Sequence, residues 1–276
     1  MPEGDTIFRA ASTLHRALTG SVVTGFETQL PALARVDADH PISGRTIEFA
    51  RSSGKWLQIG FSGDLVLLTH MLMSGSWHIY RPGEAWRKNR YHMRVVVATR
   101  AIVAVAFNVP IAEFHTQKSL ERRNGFSQLG PDVLEDDFDE AGAINRLASH
   151  ADLETGVALL TQSIMAGMGN VFKSEVCFMA GVNPFQRIGA LSTVQLESLV
   201  TIARKLLKAN VDVLSGDQIV TYTGMRRTTG RSDPGERVWV YRRNGAPCRK
   251  CGATILSRKQ GVDARTSFWC PVCQAM

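Results

Sequence analysis

Two groups of residues at opposite ends of the chain have types and spacings that could carry chemistry. Near the C-terminus, Cys248 and Cys251 form one CxxC pair and Cys270 and Cys273 a second, with the 18 residues 252–269 between them. Each pair sets two thiols on one tight turn, and two such turns complete a tetrahedron of soft ligands with no position left open. The spacing predicts one structural zinc ion, supplying folding free energy that so short a segment lacks in apolar burial. The competing reading, a pair of redox dithiols, expects a βαβ context that is absent from this stretch. Cys177 stands apart in an apolar helical pattern and reads as buried and inert.

At the other end the chain opens MPEGDTIFRAASTLHRAL. Proline is small enough for Met1 to be removed, which would leave Pro2 with a free secondary α-amine. Condensed with an aldehyde carbon, such an amine gives an iminium that cannot shed its charge by losing an N–H, an electron sink at the carbon attacked. An α-amine titrates at about 7.7–8.0 against about 10.4 for lysine, so near neutrality its reactive fraction is larger by roughly a few hundredfold. Glu3 stands beside it as a general acid, provided that burial or nearby negative charge keeps it protonated. The same residues also make an ordinary helix start, with proline near the first position and acids in the first turn. At the level of the residues both readings stand.

The elements that must position these groups fall into two textures. Ile7, Ala11, Leu14 and Leu18 form one apolar stripe, which predicts a helix over 3–19 closed by Gly20. From about 22 to 115 the chain turns to short β-rich runs, among them RTIEFARS, KWLQIGF, LVLLTHML, SWHIY, HMRVVVAT and AIVAVAF, separated by turn signals such as SSGK and FSGD. Closely spaced short strands predict a sandwich or barrel. LGPDVLEDDFDEAG is acidic and holds Pro and Gly, so 129–150 reads as a linker between a domain of residues 1–128 and the C-terminal half. Beyond it the pattern turns helical over 151–236, with Ser192 a plausible N-cap. MRRTTGRSDPGER (225–237) reads as a basic loop. VWVYRRNGAP and the cysteine-bearing end, 237–276, read as β-like, with a hairpin around KQGVDAR presenting Arg258, Lys259 and Arg265 outward. The fold class is therefore α+β.

A formal charge of +7 and a pI of about 9.4 point to a polyanionic partner, most simply nucleic acid. No apolar run approaches the ~20 residues of a membrane span. The basic-then-apolar order of a signal peptide is absent too, so retention inside the cell, in the cytoplasm or at the nucleoid, is expected.

The order of MPEGDT before a helix, SGKWL at 53–57, HMLMSGSW at 70–77, MAGMGNVFKSE at 165–175 and a closing four-cysteine finger resembles the formamidopyrimidine-DNA glycosylase / endonuclease VIII family over nearly the whole chain. The PEGDT start looks like the endonuclease VIII branch, whose members mainly remove oxidised pyrimidines. The resemblance implies an N-terminal helix and β-sandwich, then a helix–two-turn–helix domain with a zinc finger. It implies a monomeric glycosylase and abasic-site lyase that bends duplex DNA and flips the damaged nucleotide out. By position, Pro2 matches the nucleophile, Glu3 the acid, and Lys55 the lysine that assists β-elimination. His70 matches a phosphate-contacting histidine, and Asn170 the asparagine that holds the backbone beside the lesion. Arg265 matches the finger arginine that grips phosphate and assists the second elimination. Leu72 and Met73 match side chains inserted into the duplex. On an ordinary strand, though, Met71 and Met73 would alternate with Leu72, one face in the core. Gln128 stands where relatives often carry a basic residue, and FNVPIAEF (107–114) lacks the inserted Arg and Phe of purine-specific members. Two rivals stay open: the same chemistry on oxidised purines, and a zinc-ribbon DNA-binding protein without catalysis.

Overall fold

The structure, a computed structural model, describes residues 2–211, 227–229 and 236–276. Most of the loop 225–237 therefore lies outside the described residues. The chain divides into two compact units, one reaching to Ser127 and the other starting at Gln128.

The first unit opens with α1 (Gly4–Leu18), whose stripe of Ile7, Ala11, Leu14 and Leu18 is fully buried, and Gly20 closes it with φ +80°. Then come β1 (Gly25–Thr28), α2 (Pro31–Asp39), β2 (Ile47–Ser53), β3 (Trp56–Phe61), β4 (Leu65–His70), β5 (Ser76–Tyr80), β6 (Met93–Ala98), β7 (Val103–Phe107), β8 (Ile111–His115) and α3 (Gln117–Leu120). Two four-stranded antiparallel sheets form, ordered β1-β6-β7-β5 and β2-β3-β4-β8. One core joins them: Leu57, Ile59 and Leu67 from one sheet and Trp77, Val95 and Ala104 from the other pack with the stripe of α1. Continuous apolar burial on facing sheets is the main stabilising term of such a sandwich.

Register decides what meets at each end of it. His70 pairs with Trp56 and Ile111, while Ser76 pairs with Phe107. The chain crosses between sheets here twice, through residues 71–75 and 108–110, so these residues share one end. α1 runs along β2 in the opposite sense. Its C-terminal end lies by the start of β2, where Gly20 N–H donates to Ile47 O and Ala50 N–H to His15 Nδ1. That directs Pro2 and Glu3 towards the Ser53 end of β2, the end at which the β2–β3 turn carries Lys55.

The second unit holds α4 (Glu140–Ala148), α5 (Thr155–Ala158), α6 (Asn170–Met179), α7 (Thr193–Val211), β9 (Leu256–Gln260) and β10 (Arg265–Trp269). Ser192 and Gln195 cap α7 reciprocally, at 3.3 and 2.9 Å. Two differences from the sequence reading stand out. The stretch 129–150 contains a helix rather than only a connection. Asp139 caps α4 by accepting from Gly142 N–H at 2.8 Å, and Ala143 and Leu147 are buried. VWVY (238–241) is no strand either. The backbone N–H groups of Trp239, Val240 and Tyr241 donate to the Glu175 carboxylate at 2.8–2.9 Å, which takes the donors a ladder would use.

Candidate active site and metal centre

In the first unit the predicted residues gather at the end just described. Glu3 is the N-cap of α1, and its carbonyl accepts from Thr6 and Ile7 N–H at 3.0 and 3.1 Å. Pro2 and Glu3 are both buried. Lys55 comes directly after Gly54 in the β2–β3 turn, where φ is +59°. His70 closes β4. Its Nδ1 accepts from Leu72 N–H at 3.1 Å, so the proton of the neutral ring lies on Nε2, which is left as a donor. Burial first, then the charges of Lys55 and Arg123, lower its pKa to about 4. A neutral imidazole presenting one N–H suits a phosphate oxygen.

Between His70 and Ser76 the chain makes a tight turn. Gly75 N–H donates to Met71 O at 2.8 Å, and a Cβ on Gly75 would come within 2.6 Å of that oxygen, so only glycine fits. Leu72 has φ +45°, an uncommon conformation for a branched side chain. Met71 points into the core, while Leu72 and Met73 are 45% and 60% exposed. The strict alternation of an ordinary strand is thus absent, because β4 stops at His70.

Sequence reasoning passed over Arg123. Its guanidinium lies 4.2 Å from the centre of the Trp56 ring and pairs with both Glu113 oxygens at 3.0 and 3.1 Å. Trp56 in turn meets the His70 ring edge-on at 4.7 Å. The Arg123 hydrogen bond, outweighing burial, holds the Glu113 carboxyl below its usual range. A charge-fixed stack thus backs His70, and no local motif announces it.

In the second unit Asn170 opens α6. Its Nδ2 donates to Thr266 O at 2.9 Å, Lys173 Nζ reaches the same carbonyl at 3.4 Å, and Phe268 N–H donates to Ser174 Oγ at 3.4 Å. Asn170 Oδ1 is buried without a hydrogen-bond partner among the described residues. These ties fix β10, at whose start Arg265 is exposed, directly to α6. Glu175, on the same helix, also accepts from Thr228 Oγ1, so one buried carboxylate binds both 228 and 239–241. The signal for it was legible: a carboxylate inside the apolar helix of MAGMGNVFKSE. Cys177 is buried and its thiol is pushed up to about 12 by desolvation, as expected of an inert cysteine.

Cys248, Cys251, Cys270 and Cys273 place their sulfurs within 4.8 Å of one another. The Cys248–Cys273 and Cys251–Cys270 separations of 3.9 and 3.4 Å are far beyond a disulfide bond of about 2.05 Å. Four thiols so spaced fit around a single metal ion.

Two family descriptions match the chain, the formamidopyrimidine-DNA glycosylase N-terminal domain over residues 1–110 and the formamidopyrimidine-DNA glycosylase H2TH domain over 129–221. Among similar proteins, the probable endonuclease 8 2 of Streptomyces coelicolor is 37% identical, covering 100% of this chain and 94% of its own. The DNA-(apurinic or apyrimidinic site) lyase Nei2 of Mycolicibacterium smegmatis is 34% identical, covering 99% of each. The Lactococcus lactis formamidopyrimidine-DNA glycosylase, solved non-covalently bound to DNA with an abasic site, shares the fold with a TM-score of 0.81, 21% identity and full coverage of both chains. Two domain matches in the right order, full-length relatives above 30% identity and the four-cysteine cluster lead to one conclusion: the chain belongs to the formamidopyrimidine-DNA glycosylase / endonuclease VIII family of DNA glycosylases and abasic-site lyases.

Proposed function

We propose that this protein removes oxidised bases, chiefly pyrimidines, from duplex DNA and cuts the strand at the resulting abasic site. The observation that carries the reading is the gathering of Pro2, Glu3, Lys55, His70 and the exposed Leu72–Met73 turn at one end of the first unit. Once Met1 is removed, the Pro2 nitrogen lone pair attacks C1′ of the flipped nucleotide. The glycosidic C1′–N bond breaks and the base leaves with a proton, and Glu3 protonates the sugar ring oxygen as the C1′–O4′ bond opens, leaving C1′ and the Pro2 nitrogen joined as an iminium. The iminium draws electrons from C2′, which loses a proton as the C3′–O bond breaks and phosphate departs. A second proton loss, from C4′, breaks C5′–O. Water then releases the sugar remnant from Pro2, and a one-nucleotide gap with phosphate on both sides remains. Lys55 assists the first elimination and Arg265 the second. His70 Nε2–H and Asn170 take backbone phosphates. Leu72 and Met73 fill the hole in the stack, which otherwise costs a few kcal/mol to keep open.

The four cysteines would hold one structural zinc ion. A Zn–S bond of about 2.3 Å puts tetrahedral sulfurs about 3.8 Å apart, close to the spacings here. The preference for pyrimidines draws on the short β7–β8 connection, 108–110, whose Val109 is buried and which has no Arg–Phe pair to insert. The protein would act as a monomer inside the cell. Duplexes each carrying one defined lesion test the reading: oxidised pyrimidines should be excised faster than oxidised purines. Faster excision of purines would assign the chain to the other substrate class, and binding without cleavage would leave only a DNA-binding protein.

A further inference from the structure

The connection between β5 and β6 carries Arg81, Arg87, Lys88 and Arg90 against one acid, Glu84. It does not project from the sheet. Arg87 N–H donates to Tyr80 Oη at 3.2 Å, and Lys88 Nζ donates to Ser76 Oγ at 2.8 Å. Tyr80 ends β5 and Ser76 begins it. The loop therefore doubles back along the strand and delivers Lys88 to the end of the sandwich that holds the Leu72–Met73 turn. Trp86 secures the return path by packing on Phe107, ring centres 5.6 Å apart, and on Tyr80 at 6.4 Å.

The charges divide into two kinds. Arg90 is engaged, 2.6 Å from Glu27 and over the Trp86 ring. Arg87 and Lys88 have no carboxylate partner among the described residues. Lys88 leans on neutral dipoles instead: Ser76 Oγ accepts from it and sits 3.1 Å from Nε2 of His78. His78 is buried and stays neutral over most of the pH range, its pKa lowered to about 4 by burial and then by Lys88 and Arg87. The network fixes the Lys88 ammonium without cancelling its charge. A positive group held this way, with burial already working against it, gains most from an anion arriving on its open side.

We infer that Lys88, with Arg87 beside it, is a DNA phosphate contact flanking the Leu72–Met73 turn, and takes the backbone at the step into which that turn inserts. The inference rests on the proposed action on duplex DNA. A side chain wedged between base pairs kinks the duplex, and the phosphates around the kink come close to whatever surrounds the inserting turn. Lys88 is tied to Ser76, the first residue of the strand that the turn leads into.

The test uses the full-length protein and a duplex with a stable abasic analogue, its Kd measured across a salt series. Lys88→Met should weaken binding about tenfold at low salt and reduce the slope of log Kd against log salt by about one, the signature of one lost phosphate contact. Lys88→Arg should restore both. Arg100→Met, an equal loss of charge in the β6–β7 hairpin at the opposite end of the same sheet, should leave the slope unchanged. In the wild type, a neutral methylphosphonate at the wedge step should reproduce the Lys88→Met loss, and the two changes together should add nothing. An unaltered slope with Lys88→Met, accompanied only by a lower Tm, would overturn the inference, as would an equal change from Arg100→Met. Failure of the wild type to bind the abasic duplex at all would instead remove the DNA reading on which the inference rests.

Discussion

His70 has two features that set its behaviour: an Nδ1 occupied by the Leu72 N–H, and a pKa lowered to about 4 by burial, Lys55 and Arg123. Both keep it neutral at working pH, so the proposed phosphate contact would be made by a dipole and not by a cation. An unfolded histidine takes up its proton near 6.5, whereas the folded ring refuses it until about 4. Between these values the unfolded chain binds more protons, so His70 makes stability fall as pH drops through that window. His70→Asn should flatten the dependence of unfolding free energy between pH 7 and 4.5, measured in denaturant titrations. A residual slope of the same sign belongs to His78, whose pKa is lowered similarly. An unchanged or steeper slope would mean that His70 is protonated in the native state. Residues of this kind were only half legible. His70 and Lys55 sit in short motifs, but Arg123 and Lys88 reach the site through long-range packing, and nothing in RRNG or RKNR signals where those side chains end.

At the scale of elements, the 71–75 turn puts opposite demands on Leu72. Holding a leucine at φ +45° costs about 1–2 kcal/mol relative to glycine, which adopts that region freely. Leu72→Gly should therefore raise stability by a fraction of that cost while slowing base excision from a lesion duplex. A gain in stability without loss of excision would show that Leu72 does no work in the stack. Truncating Leu72 and Met73 together to Ala should slow excision from duplex but spare cleavage at a preformed abasic site in single strands, where no stack needs refilling. In the second unit, Glu175→Gln would turn an amide NH₂ towards backbone donors that now share a carboxylate. It should cost roughly 1.5–3 kcal/mol and speed metal loss to a chelator, read by melting and by dye release. Cys251→Ser should release the metal and weaken DNA binding, whereas Arg265→Ala should keep the metal. A serine variant that retained both zinc and activity would contradict the proposed site. The elements themselves were legible where a pattern is local. The α1 stripe and the CxxC pairs are of this kind. α2 was missed because only Leu33 is buried, and β8 because every position is half-buried and Pro110 precedes it. VWVY misled because a distant carboxylate, not a neighbouring strand, takes its N–H groups.

Over the whole molecule, each of the two units holds its own group of candidate residues in place. α1 and the first unit's sandwich bring Pro2, a buried glutamate and Lys55 towards one end, and α6 in the second unit anchors the strand that carries Arg265. The order of motifs along the chain made this division readable, since each half carries its own signature, whereas chemistry at Pro2 could not be told from a well-made helix start by the residues alone. The most direct measurement is borohydride trapping on an abasic-site duplex, followed by digestion and peptide mapping of the adduct. A proline nucleophile predicts a covalent adduct at the nitrogen of Pro2, lost when an N-terminal extension survives processing while DNA binding persists. An adduct at Lys55, or undiminished trapping by the extended protein, would contradict it.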